Sequence, residues 1–208
     1  MLPKLLSDGG PVMWLLLLLS AVALVVFIER LLHYHRAQIN SPEFLNGVRN
    51  VLKRENLVEA LSICEATPGP VPRLVKTAIL NYERGRDGVR EALEEAGLLE
   101  VPRLEEKLNL LATIAQISPL MGLLGTVLGF MRIFSVVHAK GLHAHSGDLA
   151  SGVWEALICT AFGLAVAIPC YAGYNYLVSR VNSIVLDMEK ASTEILNIVS
   201  NLPIPKSQ

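Results

Sequence analysis

Charge is scarce in this chain, and so are the groups from which most enzymes build their sites. Only 18% of its 208 residues are Asp, Glu, Lys or Arg, whereas 52% are hydrophobic and the mean hydropathy is +0.45. Such values exclude an ordinary soluble domain of this size and imply an integral membrane protein. Neither sign dominates: 18 basic and 19 acidic side chains leave a formal net charge of -1. That removes the electrostatic argument for a nucleic-acid partner. Cysteine is limited to Cys64, Cys159 and Cys170 with no C-x-x-C spacing, which suggests neither a disulfide framework nor a zinc site; all three read as reduced structural thiols. Ser20, Cys159 and Cys170 have no base or orienting group near them in the sequence, and no phosphate-binding Gly-x-x-x-x-Gly-Lys-Ser/Thr loop occurs. The chain therefore does not read as an enzyme, and no cofactor is implied.

What is present is three long apolar runs. A lead-in of residues 1–10 precedes the first, 11–32, which is interrupted only by Ser20 before Glu29 and Arg30 and satisfies the requirement of about 20 residues for a hydrocarbon core of about 30 Å. A cleaved signal peptide is the rival reading of this run, with Lys4 as its basic region and Ala21-Val22-Ala23 as a small-residue site. Residues 33–107 carry charge throughout. Their apolar residues recur at helical spacing (Phe44, Leu45, Val48, Val51 and Leu52; Val58, Leu61 and Ile63; Leu74, Val75, Ile79 and Leu80), predicting short amphipathic helices. Thr67-Pro-Gly-Pro-Val-Pro72 should break them, and a further helix should open near Asp87 with weak points at Gly97 and Pro102.

The second run, 108–137, would be about 45 Å long as a helix, more than the core requires. A short polar turn, 138–148, leads to the third run, 149–178. That run passes without a strong breaker into 179–208, where Val181, Ile184, Val185, Met188, Ile195 and Ile198 keep helical spacing. The expected fold is an all-α integral membrane protein with three transmembrane helices, spans two and three extending into the cytoplasm. Arg30 and Arg36 follow the first span, Arg103 and Lys107 precede the second, and Arg180 follows the third, whereas the 138–148 turn carries only Lys140. The positive-inside rule then places 33–107 and the C-terminus in the cytoplasm and the N-terminus and the turn outside, against the weaker signal of Lys4.

Within the spans few residues can carry chemistry. Glu155 is the one carboxylate in an apolar run away from its ends. A charge there costs at least about 2.5–3.5 kcal/mol, so it should face protein or water. Arg132 lies about 9 Å below the outer end of span two and Glu155 about 10 Å below the outer end of span three, so the two could pair; alternatively Arg132 could snorkel outward. Thr126 and Thr160 likewise share a depth, each about 18 Å from the outer end of its span. They could form one polar layer, or each hydroxyl could merely bond to the carbonyl four residues back. Gly122, Gly125 and Gly129 would each cost about 1 kcal/mol relative to alanine in a water-facing helix. In lipid, small residues instead permit close helix approach, and Gly163 in span three belongs with them as a packing position. His143 and His145 lack third and fourth metal ligands and read as a solvated loop.

Ser118-Pro-Leu-Met-Gly122-Leu-Leu-Gly125-Thr126-Val-Leu-Gly129, together with Glu155-Ala-Leu-Ile-Cys159-Thr160-Ala-Phe-Gly163-Leu-Ala-Val-Ala-Ile-Pro169, closely resembles the MotA/TolQ/ExbB proton channel family. The three-span topology matches ExbB and TolQ better than the four-span MotA type. The resemblance implies a stator subunit of a proton-driven energy transducer in the bacterial inner membrane. It implies a homo-oligomeric ring, typically of five subunits, around an ExbD/TolR-like single-span protein that carries a proton-accepting aspartate, with work delivered through a TonB/TolA-like periplasm-spanning protein. Thr126, Thr160 and Glu155 match its pore-lining positions; Arg132 and Cys159 lie outside its pattern. A non-conducting membrane scaffold is the alternative: it accounts for the glycine-rich face but gives no reason for Glu155.

Overall fold

A computed structural model describes residues 10–54, 56–141 and 146–200, all but the connections being helical. In chain order the α-helices are α1 (Gly10–Ala37), α2 (Ser41–Leu52), α3 (Leu57–Ala66), α4 (Pro70–Leu80), α5 (Gly85–Glu105), α6 (Leu108–Lys140) and α7 (Ser146–Ser200), with a 3₁₀ turn at Tyr82–Arg84. No strand occurs among the described residues, and three helices are long and apolar enough to cross a membrane. The expectations for residues 1–9, for His143 and His145 and for 201–208 lie outside the described residues.

The chain divides into two compact units, Met1–Glu29 with Lys107–Tyr176 and Arg30–Glu106 with Leu177–Gln208. The first contains the greater part of the apolar runs. Its exposed side chains include Trp14, Leu18 and Val25 on α1 and Leu120, Leu123, Met131 and Phe134 on α6. Water would penalise so much contiguous apolar surface, whereas lipid does not. The residues buried within this unit mark the helix contacts: Val12, Met13, Leu16 and Ala23 on α1, and Ala156, Cys159 and Val166 on α7. Pro119 and Pro169 lie inside α6 and α7. Lys107, left-handed at φ 63°, precedes α6 and pairs with Glu29.

The second unit has a conventional aqueous core. On α2 the stripe Leu45, Val48 and Leu52 is buried, and on α4 Val71, Leu74, Val75, Ala78 and Ile79. On the distal half of α7, Val181, Ile184, Met188, Ala191 and Ile195 repeat every three or four residues and are all buried. Two details depart from the periodicity. Val58 and Leu80, counted above with the apolar faces, are 78% and 60% exposed. The break at Thr67-Pro-Gly-Pro is also shorter than the prolines suggest: α4 begins at Pro70, because a proline in a first turn forfeits no helical hydrogen bond. Gly69, at φ 138°, makes the turn that precedes it. Pro102 lies inside α5, close to its end at Glu105. Glu100, buried beside this turn, receives Arg73 from α4 at 3.1 Å and Arg103 from α5 at 2.8 Å. Tyr34 donates to the carbonyl of Leu104 at 2.6 Å in a buried bond. Asn56 caps α3 by accepting from the Glu59 N–H, and Glu59 takes the Asn56 amide in return.

Cys64 is buried on α3, and burial pushes its thiol up to about 11. The neighbouring Glu65 carboxyl is held below its ordinary value by its hydrogen bond from Lys76. Because the folded thiol titrates above the unfolded one, Cys64 begins to oppose folding only as the pH rises above about 9. At pH 8 its thiolate is scarcer than that of an exposed cysteine by about two orders of magnitude. Iodoacetamide at pH 8, followed by peptide mapping, should therefore label Cys64 about 100-fold more slowly in the native than in the denatured chain. Equal rates would show that the thiol is not buried.

Candidate functional site

The site is built where α6 and the first half of α7 run side by side within the first unit. Their contact is a ladder of small residues in antiparallel order. Gly122 of α6 faces Gly163 and Thr160, Gly125 faces Cys159, Gly129 faces Ala156 and Gly152, and Ile133 packs on Gly152. A Cβ at Gly163 would lie 2.6 Å from the carbonyl oxygen of Ser118 and 3.0 Å from the Cα of Gly122, and one at Gly125 would lie 2.5 Å from the Cβ of Cys159. The backbones approach too closely for even an alanine, which is the geometry that compensates for glycine's poor helix propensity. Sequence reading identified Gly122, Gly125, Gly129 and Gly163. It missed Gly152, Ala156 and Cys159, although their spacing with Gly163 puts them on one helical face.

This closeness brings two hydroxyls together. Thr126 Oγ1 is hydrogen-bonded to Thr160 Oγ1 across the helices. Both oxygens also lie within hydrogen-bonding distance of one carbonyl, that of Gly122, Thr126 at 3.1 Å and Thr160 at 3.2 Å. Thr126 thus makes the local bond to the carbonyl four residues back, while Thr160 turns away from its own helix to the carbonyl of its neighbour. Two hydroxyl hydrogens serve three oxygens. Either Thr126 bonds to the carbonyl and receives from Thr160, or the roles reverse, and each arrangement leaves oxygen lone pairs able to accept from a third group. The cluster can therefore pass hydrogen bonds in either direction without a net charge. Both threonines are half-buried.

Nearer the start of α7, Arg132 Nη1 donates to Glu155 Oε1 at 2.9 Å and Oε2 at 2.8 Å. The two members of the pair differ in exposure, the arginine side chain being 64% and the glutamate 19% exposed. Glu155 also lies against α1: a Cβ at Gly10, which has φ 63°, would be 3.1 Å from Oε1. Depth counting can align Arg132 with Glu155, but nothing in the sequence signals the contact with Gly10. Among the described residues no group of three His, Cys, Asp or Glu could hold a metal.

A backbone this close makes a specific prediction about stability. Gly163→Ala should cost about 1–3 kcal/mol, because its Cβ meets backbone atoms that cannot rotate away. Gly147→Ala, on the same helix but with open space around it, should be neutral or up to about 1 kcal/mol more stable. Unfolding in detergent micelles measures both; equal effects would refute the close contact.

Comparison with known proteins bears on the same helices. Residues 67–190 match the MotA/TolQ/ExbB proton channel family. An ExbB homolog from Methanothermobacter thermautotrophicus is 28% identical over 181 residues, covering 86% of this chain and 63% of that protein. The chain thus spans less than two thirds of this relative. An ExbB-like protein from Synechocystis is 37% identical over 183 residues, covering 85% of this chain and 72% of the relative. The Tol-Pal system protein TolQ of Haemophilus influenzae is 39% identical over 112 residues, 54% of this chain and 49% of that one. With three helices apolar enough to span a bilayer and a family match over more than half its length, the chain is a multi-pass membrane protein of the MotA/TolQ/ExbB proton channel family, on its ExbB/TolQ-like branch.

Proposed function

We propose that this protein is the stator subunit of a proton-motive-force-driven energy transducer in the bacterial inner membrane. The observation that carries the reading is the hydrogen-bonded Thr126–Thr160 pair between two glycine-packed helices, in a chain of the ExbB/TolQ-like branch. The two hydroxyls line the proton path, and Glu155 lines its outer mouth. Protons crossing a potential of 100 mV release about 2.3 kcal/mol each, which a carrier that alternates between charged and neutral forms can convert into work. A hydroxyl pair relays a proton but does not store it. The storing carboxyl belongs to an ExbD/TolR-like single-span partner, enclosed by a homo-oligomeric ring of this chain, a pentamer. A TonB/TolA-like protein carries the work across the periplasm. The positive flanks orient the N-terminus to the periplasm and the charged helices and C-terminus to the cytoplasm.

Co-expression with an ExbD/TolR-like single-span protein from the same organism, followed by purification, should yield a stable hetero-oligomer. A monomer that never binds it would refute the assignment. Thr126→Ala and Thr160→Ala should each abolish energised function while leaving assembly intact, because alanine removes the hydroxyl relay while the glycine ladder still holds the two helices together. Full activity in both variants would remove the pore assignment.

A further inference from the structure

Small residues have two different consequences in the membrane unit. Between α6 and α7 they let backbones touch; between α1 and α7 they leave a hollow. Ser20, Ala23 and Phe27 on α1, Leu111 on α6, and Ala165 and Cys170 on α7 line a groove of about 280 Å³ that lies wholly within the first unit. α1 is in contact on either side of it. A Cβ at Gly125 of α6 would meet the Val12 side chain at 3.5 Å, and one at Gly173 of α7 would meet the Phe27 ring at 3.0 Å. Beyond Leu16 the inward side chains Ser20 and Ala23 are too small to fill the space between these contacts. Leu24, at the rim, is exposed, so the groove opens on the outer surface of the unit.

Position along the helices decides what surrounds the opening. Phe27 lies two residues, about 3 Å, from Glu29, which pairs with Lys107 where the apolar run ends, and Ser20 lies nine residues, about 14 Å, from it. Leu111 is four residues past Lys107. The groove therefore falls within one leaflet's share, about 15 Å, of a hydrocarbon core of about 30 Å. Ser20 and Cys170 are its polar side chains, both neutral, and no charged residue lines it among the described residues. Left empty, such a hollow forfeits the dispersion contacts of its walls, and a water there would need two to four polar partners. A helix, about 10–12 Å across, is too wide to enter so small a volume, whereas a single hydrocarbon chain is not.

We propose that the groove between α1 and α7 binds one acyl chain of a phospholipid from the cytoplasmic leaflet, with the headgroup at the level of Lys107. The chain supplies the contacts that α1 lacks toward α7 between Leu16 and Phe27. Arg30, Arg36, Arg103, Lys107 and Arg180 flank the spans on this side, which favours an anionic headgroup. The choice of leaflet rests on the orientation proposed above, but lipid binding itself does not depend on proton transport.

Native mass spectrometry of the protein purified in mild detergent tests the site. The wild type should retain phospholipid at about one molecule per subunit. Ser20→Leu and Ala165→Leu, which fill the groove from opposite helices, should retain several-fold less, whereas Val25→Leu, on an exposed part of α1 outside the groove, should match the wild type. Retention that is absent in the wild type, or equal in all four proteins, would overturn the proposal. So would loss of the oligomer in both filled variants, which would show that a neighbouring subunit covers the groove. The wild type alone gives a second reading that does not require the variants to fold. After delipidation its unfolding midpoint should rise and saturate as phosphatidylglycerol is added, and should not respond to glycerol phosphate, which has no acyl chains. An unchanged midpoint, or an equal rise with both compounds, would contradict an acyl-chain site. Failure of proton uptake would remove the proposed function and leave these readings unaffected.

Discussion

Everything in the membrane unit depends on how closely α6 and α7 approach one another. Helices in lipid gain nothing from hiding apolar surface, so their association rests on contact between backbones and on the few polar groups that contact brings together. Here the contact is made by Gly122, Gly125 and Gly129 on one helix and by Gly152, Ala156, Cys159 and Gly163 on the other. At that separation a threonine on α7 can reach a carbonyl of α6, as Thr160 does with Gly122. A ring of leucines at the same positions would hold the helices further apart, and Thr126 and Thr160 would each fall back on its own helix. The glycines are thus the means by which an otherwise local hydroxyl becomes part of a shared cluster.

The second unit obeys different rules, and the contrast explains the sequence. In water the core must be bought with buried apolar area, so α2, α4 and the distal half of α7 carry regular stripes of Leu, Val and Ile. Polar groups there are satisfied locally, through the Asn56 cap and the convergence of Arg73 and Arg103 on the buried Glu100. In the membrane unit many bulky apolar residues face outward and the contact between α6 and α7 is made by small ones, the inverse arrangement. One helix, α7, follows both patterns in turn, packing through small residues before about Ala167 and through Val181, Ile184, Met188 and Ile195 after it.

Much of this was legible in the residues. Apolar length gave the three spans, periodicity gave the helices of the charged segment, and equal depth along two antiparallel helices aligned Thr126 with Thr160 and Arg132 with Glu155. Those inferences succeed because helical rise is nearly constant, so counting residues measures distance. Where the reading fell short, the missing quantity was azimuth or tertiary context. Periodicity counted Val58 and Leu80 with the core although they are exposed, since a helix face has edges that a count cannot locate. In sequence Pro70 reads as a breaker, yet it is a helix start, because a proline's effect depends on which turn it occupies. Counting allowed either a local bond or a shared layer for the threonines, and the structure has both: Thr126 bonds within its helix and also meets Thr160. The contact of Gly10 with Glu155 joins residues far apart in the chain and has no local signature.

The central claim is that the helix contact, and not the mere presence of two threonines, creates the path. Proton uptake by vesicles containing the complex with Gly122→Ala tests it, since both hydroxyls remain while the added Cβ would lie 3.1 Å from the Cα of Thr160 and 3.0 Å from the carbonyl of Cys159. The account predicts a complex that assembles but whose uptake falls by about tenfold or more, as a displacement of about 1 Å can cost a hundredfold where geometry controls transfer. Wild-type uptake in that variant would contradict it.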